Sequence, residues 1–330
     1  MRVTRDIQRL GAAAITAAAV LGAAGCNNGQ PTATASTPKP ALVRMTPTST
    51  TPAKPAVVRT IPLLAAAGDI ACPSQQQPAA DSCHQAETAQ VVSALAPDAV
   101  LPLGDLQYET GAIADFNASF DPTWGQFKSR MYPVPGNHEY YTPGAGGYLA
   151  YFGSRARPKG TTWYSYNLGT WHLVALDSNC DTVGCEPTSK QVRWLKSDLR
   201  ANRRRCTLAY WHHPRWTGGK YTDQTQVRTL YSTLYAAGAD LILAGHDHGY
   251  QRFAKLDPSG HVDTRRGIQT FVVGTGGRSH YPKGRRANLL AANSAVFGVL
   301  ALRLRPGGWN WRFVPEAGAV FADSGSASCH

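Results

Sequence analysis

Two observations predict an α/β fold. Short apolar runs alternate along the chain with amphipathic segments of helical period. Almost every charged or imidazole-bearing turn stands at the C-terminal end of an apolar run, which is where ligands gather in open α/β sheets.

The apolar runs come first. Residues 63–69 (LLAAAGD), 99–105 (AVLPLGD) and 130–139 (RMYPVPGNHE) read as strands that end in polar turns. Residues 163–179 read as a hairpin around Asn167-Leu168-Gly169. The stretches 206–214 (CTLAYWHHP), 239–248 (ADLILAGHDH) and 268–277 (IQTFVVGTGG) repeat the pattern of an apolar run followed by a polar or glycine turn. Residues 295–315 form a second predicted hairpin, over Pro306-Gly307-Gly308. Helices fit between these runs. Residues 84–96 stop before Pro97. Residues 188–202 open with Thr188 and Gln191 in capping-box spacing and stack Val192, Leu195 and Leu199 on one face. Residues 222–238 group Val227, Leu230, Tyr231 and Leu234 and end at Gly238.

The N-terminal sixty residues have a different character. Residues 1–25 combine a basic start (Arg2, Arg5, Arg9) with an uncharged stretch rich in Ala and Gly, the layout of an export signal. It ends in small residues before Cys26 and resembles the lipobox of bacterial lipoproteins, in which the signal is cut before a cysteine that then carries lipid. Ala23 stands where Leu is usual. No adjacent Arg-Arg pair occurs in the basic start, so a general secretory route is expected. Residues 26–60 are rich in Pro, Thr, Ser and Ala, the composition of a disordered tether. The expected organisation is a signal over 1–25, a tether over 26–60 and one domain over 61–330. The protein is thus expected to be exported and anchored at the outer face of a membrane through Cys26, or secreted.

The formal charge is +12, and residues 1–60 hold about half of that surplus. The remainder is mildly basic, compatible with phosphorylated substrates. No single basic helix or aromatic-interleaved stripe stands out, so nucleic-acid binding is not the natural reading. With Cys26 set aside, six cysteines remain: Cys72, Cys83, Cys180, Cys185, Cys206 and Cys329. An even number in an exported chain suggests disulfides. Nearness in sequence favours Cys72–Cys83 and Cys180–Cys185, leaving Cys206–Cys329 to clip the C-terminus to the core. A cysteine-rich zinc site is disfavoured because no C-x-x-C pair occurs.

Five turns carry the chemistry: Gly68-Asp69-Ile70-Ala71, Gly104-Asp105-Leu106-Gln107-Tyr108, Gly136-Asn137-His138-Glu139, His212-His213-Pro214 and Gly245-His246-Asp247-His248. Each alone has an ordinary structural reading as a turn, a cap or an interior histidine. Together they offer carboxylates, a phenol, an amide and several imidazoles. Imidazole suits zinc and iron, and carboxylate and phenolate oxygens suit harder ions such as Fe(III). About seven donors exceed what one ion takes from protein, and a carboxylate shared between two ions resolves the excess.

These motifs resemble the calcineurin-like metallophosphoesterases over roughly residues 62–280, and within them the purple acid phosphatases. Most of the wider family carries a histidine two residues after the first aspartate. Here that position is Ala71, and a tyrosine from a GDxxY motif, Tyr108, stands in its place as it does in the purple acid phosphatases. The resemblance implies two facing mixed β-sheets flanked by helices, a four-layer sandwich. It implies Asp69, Tyr108 and His248 on a first metal, Fe(III) in that family, and Asp105 bridging. Asn137, His212 and His246 would hold a second, divalent metal (Zn, Fe or Mn). His246 and His248 would then each face a different ion, with Asp247 between them turned elsewhere. A metal-bridging hydroxide would attack phosphorus in line, and His138 would give the leaving alcohol its proton. Glu139 would orient His138 or a metal ligand, His213 would contact substrate or pack as a structural imidazole, and Arg278 and His280 are candidates for phosphate contact.

The chain departs from the subgroup in places. Ala71 stands where Gly is usual. The substrate-binding histidines of plant members are replaced in 214–223 by Trp216, Lys220 and Tyr221, and there is no room for an extra N-terminal β-sandwich. The reading is a phosphate monoesterase acting on small phosphorylated substrates. A phosphodiesterase or nucleotidase on the same metals is the nearest rival, since both reactions use one nucleophile. A non-catalytic exported binding lipoprotein is the rival from another class.

Overall fold

The structure, a computed structural model, describes residues 61–282 and 284–330. The expected signal, the lipid-modified Cys26 and the tether lie outside the described residues.

The apolar runs become strands because their β-branched and aliphatic side chains suit a pleated surface buried on both faces. In chain order they are β1 Leu63–Ala67, β2 Ala99–Pro102, β3 Tyr164–Leu168, β4 Trp171–Ala175, β5 Cys206–Tyr210 and β6 Leu241–Ala244. β7 Tyr250–Leu256, β8 Ile268–Val273, β9 Leu289–Asn293, β10 Gly298–Arg305, β11 Gly308–Pro315 and β12 Ser324–Ser328 complete the set. They form a five-stranded sheet, β12-β11-β10-β1-β2, and a seven-stranded sheet, β3-β4-β5-β6-β8-β7-β9. Both are mixed: β1 runs parallel to β2 and antiparallel to β10, and β4, β5, β6 and β8 are parallel within antiparallel flanks.

Strand alternation sorts the side chains into layers. From β5, β6 and β8, Leu208, Tyr210, Leu241, Leu243, Phe271 and Val273 join the cluster that also contains β1, β2 and β10 residues, so the two sheets share one core. Their neighbours Ala209, Ile242 and Val272 point the other way, onto a second cluster built from Val192, Leu195, Leu230, Tyr231 and Leu234 of two helices. This is the four-layer sandwich. Among its helices are α1 Gln85–Leu95 beside β10 and β11, α2 Gly146–Phe152, α3 Lys190–Ala201 and α4 Arg228–Ala236.

Several elements differ in detail from the sequence expectation. Residues 130–139 are not a strand. Pro133 and Pro135 remove ladder donors, and only isolated bridges join Met131 to Val100 and Val134 to Leu103. The first hairpin turns one residue later than expected, because Leu168 already pairs with Trp171 across Gly169-Thr170. The second turns over Pro306-Gly307, since Gly308 is already paired with Arg305. α3 is capped by Ser189, whose Oγ accepts the Val192 N–H at 3.2 Å, and no Thr188–Gln191 box forms. Gln191 instead turns inward and satisfies both backbone groups of Asp177 at 2.8 Å. The segment 222–238 becomes α4 only from Arg228, after a short 3₁₀ turn at Thr225–Val227.

The charge is also less dispersed than its sequence pattern suggested. Lys190, Arg193, Lys196 and Arg200 are exposed along α3, and exposed Arg203, Arg204 and Arg205 follow it, so one basic helix does exist.

The three disulfides are Cys72–Cys83, Cys180–Cys185 and Cys206–Cys329, as nearness in sequence favoured. The last closes 123 residues and joins the start of β5 to the end of the chain. A closure of that length removes much freedom from the unfolded chain. The double substitution C206S/C329S is expected to lower unfolding free energy by about 2–4 kcal/mol, read as a lowered denaturation midpoint with the far-ultraviolet dichroism preserved.

Candidate metal centre

The site begins where β1 and β2 end. Their parallel pairing continues past both strand ends: Asp69 N donates to Gly104 O, Ile70 N to Asp105 O, Ala71 N to Leu106 O, and Tyr108 N back to Ala71 O. This ladder fixes the first two turns side by side. Ala71 contributes its backbone alone. Asp69, Asp105 and His246 each adopt a left-handed backbone, with φ of 59°, 49° and 72°, which costs an L-residue on the order of 1 kcal/mol or more. Each follows a glycine, and the two aspartate side chains come close to glycines of other turns. A Cβ on Gly245 would lie 2.7 Å from Asp69 Oδ2, and one on Gly136 would run into the Asp105 carboxylate.

The strained turns aim their side chains at one place. Tyr108 Oη lies 3.0 Å from Asp69 Oδ1, 3.2 Å from Asp105 Oδ2 and 3.0 Å from His248 Nε2. His248 Nε2 is 3.3 Å from Asp69 Oδ1, and its Nδ1 is 2.8 Å from Ser279 Oγ. On the other side of Asp105, His212 Nε2 lies 3.1 Å from Oδ2. His212 donates from Nδ1 to Leu103 O at 2.9 Å, leaving Nε2 as the nitrogen facing the carboxylate. One donor atom from each of Asp69, Asp105 and His212 lies within 4.8 Å of the others, and so does one from each of His212, His213 and His246. The His246 ring sits 5.0 Å from His212 edge-on. Asn137 gives its amide nitrogen to Tyr141 Oη at 3.1 Å and leaves Oδ1 without a partner.

Burial and mutual charge set the protonation of these groups. Burial pulls His212 down, but the Asp105 charge beside it outweighs this and holds it up at about 9. Burial raises Asp105, but His212 and then His138 pull its carboxyl far below the ordinary range. His246 is pushed down to about 2 by burial and by His212 and His213, and His213 down to about 3 by burial and His212. Burial, with the charges of Asp105 and Asp69, keeps the Tyr108 phenol protonated well above its usual range. One buried acceptor, Asn137 Oδ1, has no hydrogen-bond partner. A buried acceptor without a partner is costly, and a cation would satisfy it. One half of the centre is rich in oxygen (Asp69, Asp105, Tyr108, with His248) and the other in nitrogen (His212, His213, His246, with Asn137 Oδ1). This donor set fits two metal ions.

A model of the calcineurin-like phosphoesterases matches residues 64–250, more than half of the chain. The chain belongs to this family. Purple acid phosphatase 15 of Arabidopsis thaliana is 27% identical over 223 residues, 55% of this chain and 40% of that protein. The chain therefore spans less than half the length of the curated relative it matches. Purple acid phosphatase PPD1 from yellow lupin (Lupinus luteus) seeds has the same fold, with a TM-score of 0.63 over 82% of this chain and 54% of that one at 16% identity. GAP50, the anchor in the inner membrane complex of Plasmodium, gives 0.59 over 81% of this chain and 89% of that one at 14% identity. At these identities the likeness to the two solved structures is one of fold alone.

Around the centre, several residues take places that the sequence did not disclose. Glu139 accepts four backbone N–H groups rather than bonding the His138 ring: Gly136 at 2.7 Å, Asp105 and Leu106 at 2.9 Å and Gln107 at 3.3 Å. His138 donates from Nδ1 to Glu109 O at 2.5 Å and its Nε2 lies 3.9 Å from Asp105 Oδ2. His213 is buried, with Nδ1 2.8 Å from Ser178 Oγ. The Arg278 guanidinium pairs with Glu109 and lies 5.1 Å from the Tyr108 ring centre, while His280 stacks on Phe297. Trp216 belongs to the core, packed against Tyr231. Tyr221 and Tyr281, by contrast, stack face to face on His246 and His248 at 4.2 and 3.9 Å. Asp247 turns away from the centre and binds the 217–220 loop, through Thr217 Oγ1 and the Lys220 N–H. Lys220 in turn places its Nζ 4.0 Å from the Tyr281 ring centre.

Because His212 is held protonated up to about 9, a divalent cation entering beside Asp105 must displace that proton. Apparent affinity is expected to weaken as pH falls below about 9, with proton release on binding. Calorimetric titration in two buffers of different ionisation enthalpy reads this. Heats independent of the buffer at neutral pH would show that the His212 nitrogen is not engaged.

Proposed function

We propose that this phosphoesterase is an exported hydrolase of phosphate monoesters working through two metal ions. The observation that carries the reading is Asp105, whose one carboxylate faces both halves of the centre: Tyr108 at 3.2 Å and His212 at 3.1 Å share its Oδ2. Asp69, Tyr108 and His248 would hold one ion, Asn137, His212 and His246 the other, and Asp105 both. Fe(III) is assigned to the first because a phenol buried between carboxylates loses its proton only to a hard, highly charged cation. A divalent ion, Zn, Fe or Mn, is assigned to the second. When bound, the pair would supply Lewis acidity, lowering the pKa of water and neutralising charge on the phosphoryl oxygens.

The protein's own groups do the rest. His138 has Nδ1 committed to Glu109 O, so its proton donor toward a leaving alcohol is Nε2. The N–H of His138 donates to Asp105 Oδ1 at 2.8 Å, which ties the acid's position to the carboxylate at the middle of the centre. His246 and His213 stay neutral near pH 7 and offer lone pairs rather than charge. Export is supported by the three disulfides, which persist outside a reducing cytosol, and by the signal-like pattern that ends at Cys26. Lipid attachment there is part of the proposal.

Two experiments test the reading. The iron-loaded protein is expected to absorb in the visible through tyrosinate-to-iron charge transfer, and Tyr108→Phe to remove that band while the fold persists; an unaltered spectrum would take Tyr108 off the metal. In a side-by-side assay, 4-nitrophenyl phosphate is expected to turn over well ahead of bis(4-nitrophenyl) phosphate. His138→Ala should lower kcat by about 10²–10⁴-fold without metal loss. A preference for the diester would favour the phosphodiesterase alternative.

A further inference from the structure

We propose that the end of the fold opposite the metal centre is a docking face for an anionic lipid bilayer. Residues 1–60 join the described fold at Ile61-Pro62, and that junction is ringed by arginine. Pro62 O accepts the Leu304 N–H at 2.9 Å, and Leu63 pairs with Arg303. Gly169 abuts Pro62 so closely that a Cβ would stand 2.9 Å from Pro62 Cγ, and Gly169 O accepts from Arg204 at 2.9 Å. The Arg205 guanidinium lies against Gly307, and the Arg305 carbonyl is bound by Trp171 Nε1 at 2.9 Å. Arg203, Arg204, Arg205, Arg303 and Arg305 therefore surround the point where the N-terminal sixty residues enter. Arg203, Arg204, Arg205 and Arg303 are exposed and Arg305 half-buried. Among the described residues, none of the five forms an ion pair.

The acidic groups at this end are already engaged. Asp98 accepts the Leu63 N–H, and Asp257 and Asp263 fold back onto the N–H groups of their own turns, with Arg265 and Arg266 beside them. These bonds leave the carboxylates charged, but the arginines around the junction outnumber them, so the surface is net positive. From Leu63 at this end β1 leads on past Ala67 to Asp69, and β5 leads from Cys206 past Tyr210 to His212, so roughly 20 Å of extended chain separates the face from the centre. A protein docked by this face would present its metal centre to the solvent.

Two features favour lipid over nucleic acid. The cations are not interleaved with exposed aromatics of the kind on which bases stack. They also encircle the attachment of a segment whose start has the pattern of an export signal, so a membrane surface is the polyanion this end would meet. No helix among the described residues is long and apolar enough to cross a membrane, and docking here would be electrostatic.

The test uses the full chain and sedimentation with vesicles of equal parts phosphatidylglycerol and phosphatidylcholine, set against phosphatidylcholine alone so that any contribution of residues 1–25 cancels. Binding in excess of the neutral vesicles is expected, falling with added salt. Each cation near such a surface is worth about fivefold, so R203E/R204E/R205E should lose more than about a hundredfold. K220E, on the rim of the metal centre and so at the other end, should bind as the parent does. R203Q/R204Q/R205Q serves if the reversal unfolds the protein, judged by its thermal midpoint. Undiminished binding by the folded triple variant would overturn the proposal. So would a tighter complex with single-stranded RNA that the same variant abolishes, which would assign the face to nucleic acid. Sedimentation needs no turnover, so this outcome is independent of the proposed activity.

Discussion

The centre depends on a carboxylate that sits beneath it. Glu139 is fully buried and takes four backbone N–H groups, three from the turn that carries Asp105 and one from the turn that carries Asn137. Hydrogen bonds to a charged acceptor are worth about 1.5–3 kcal/mol each, and a buried donor left alone costs a similar amount. Burial and the nearby Asp105 charge raise Glu139 to about 7, while the N–H donors and His212 oppose that rise. A neutral Glu139 would hold the turn less firmly, so cations above it would help keep it ionised. Scaffold and metal site therefore stabilise the same protonation state.

That dependence explains the backbone strain. Asp69, Asp105 and His246 hold left-handed conformations that L-residues seldom adopt, and all three lie at the centre. The surroundings fix them: the ladder between the first two turns, the glycines that let chain approach chain, and an N–H from His246 to Asp69 Oδ2 at 2.9 Å. A rigid two-sheet core supports this arrangement, because its parallel strands end side by side and point their turns the same way.

The sequence disclosed the parts of the site that follow strand periodicity. Asp69, Asp105, His212 and His246 each stand directly after a short apolar run, and that placement alone marks the turns as neighbours. Tyr108 was legible only through the resemblance to the purple acid phosphatases, as the tyrosine of a GDxxY motif in a chain whose Ala71 offers no donor side chain. Glu139 was visible as a residue, with its contact open between His138 and a metal ligand, since nothing in Gly-Asn-His-Glu tells whether a carboxylate reaches forward to a ring or back to N–H groups such as that of Asp105. Trp216 and Tyr221 are five residues apart in one polar loop, yet one is core and the other stacks on His246; the division comes from tertiary packing. Residues 130–139 were misread for a local reason, two prolines in an otherwise strand-like run. β12, with the sequence SGSAS, has no apolar pattern at all and exists because β11 offers it an edge.

Asp247 illustrates how closely two duties can be set together. Its neighbours His246 and His248 turn inward, while it reaches outward to hold the loop of Thr217 and Lys220. The reactive core and the adjacent rim thus meet at a peg rather than along a seam. A lineage could exchange the rim, altering which molecules fit, and leave the inner donors untouched so long as the new loop still fitted the same peg.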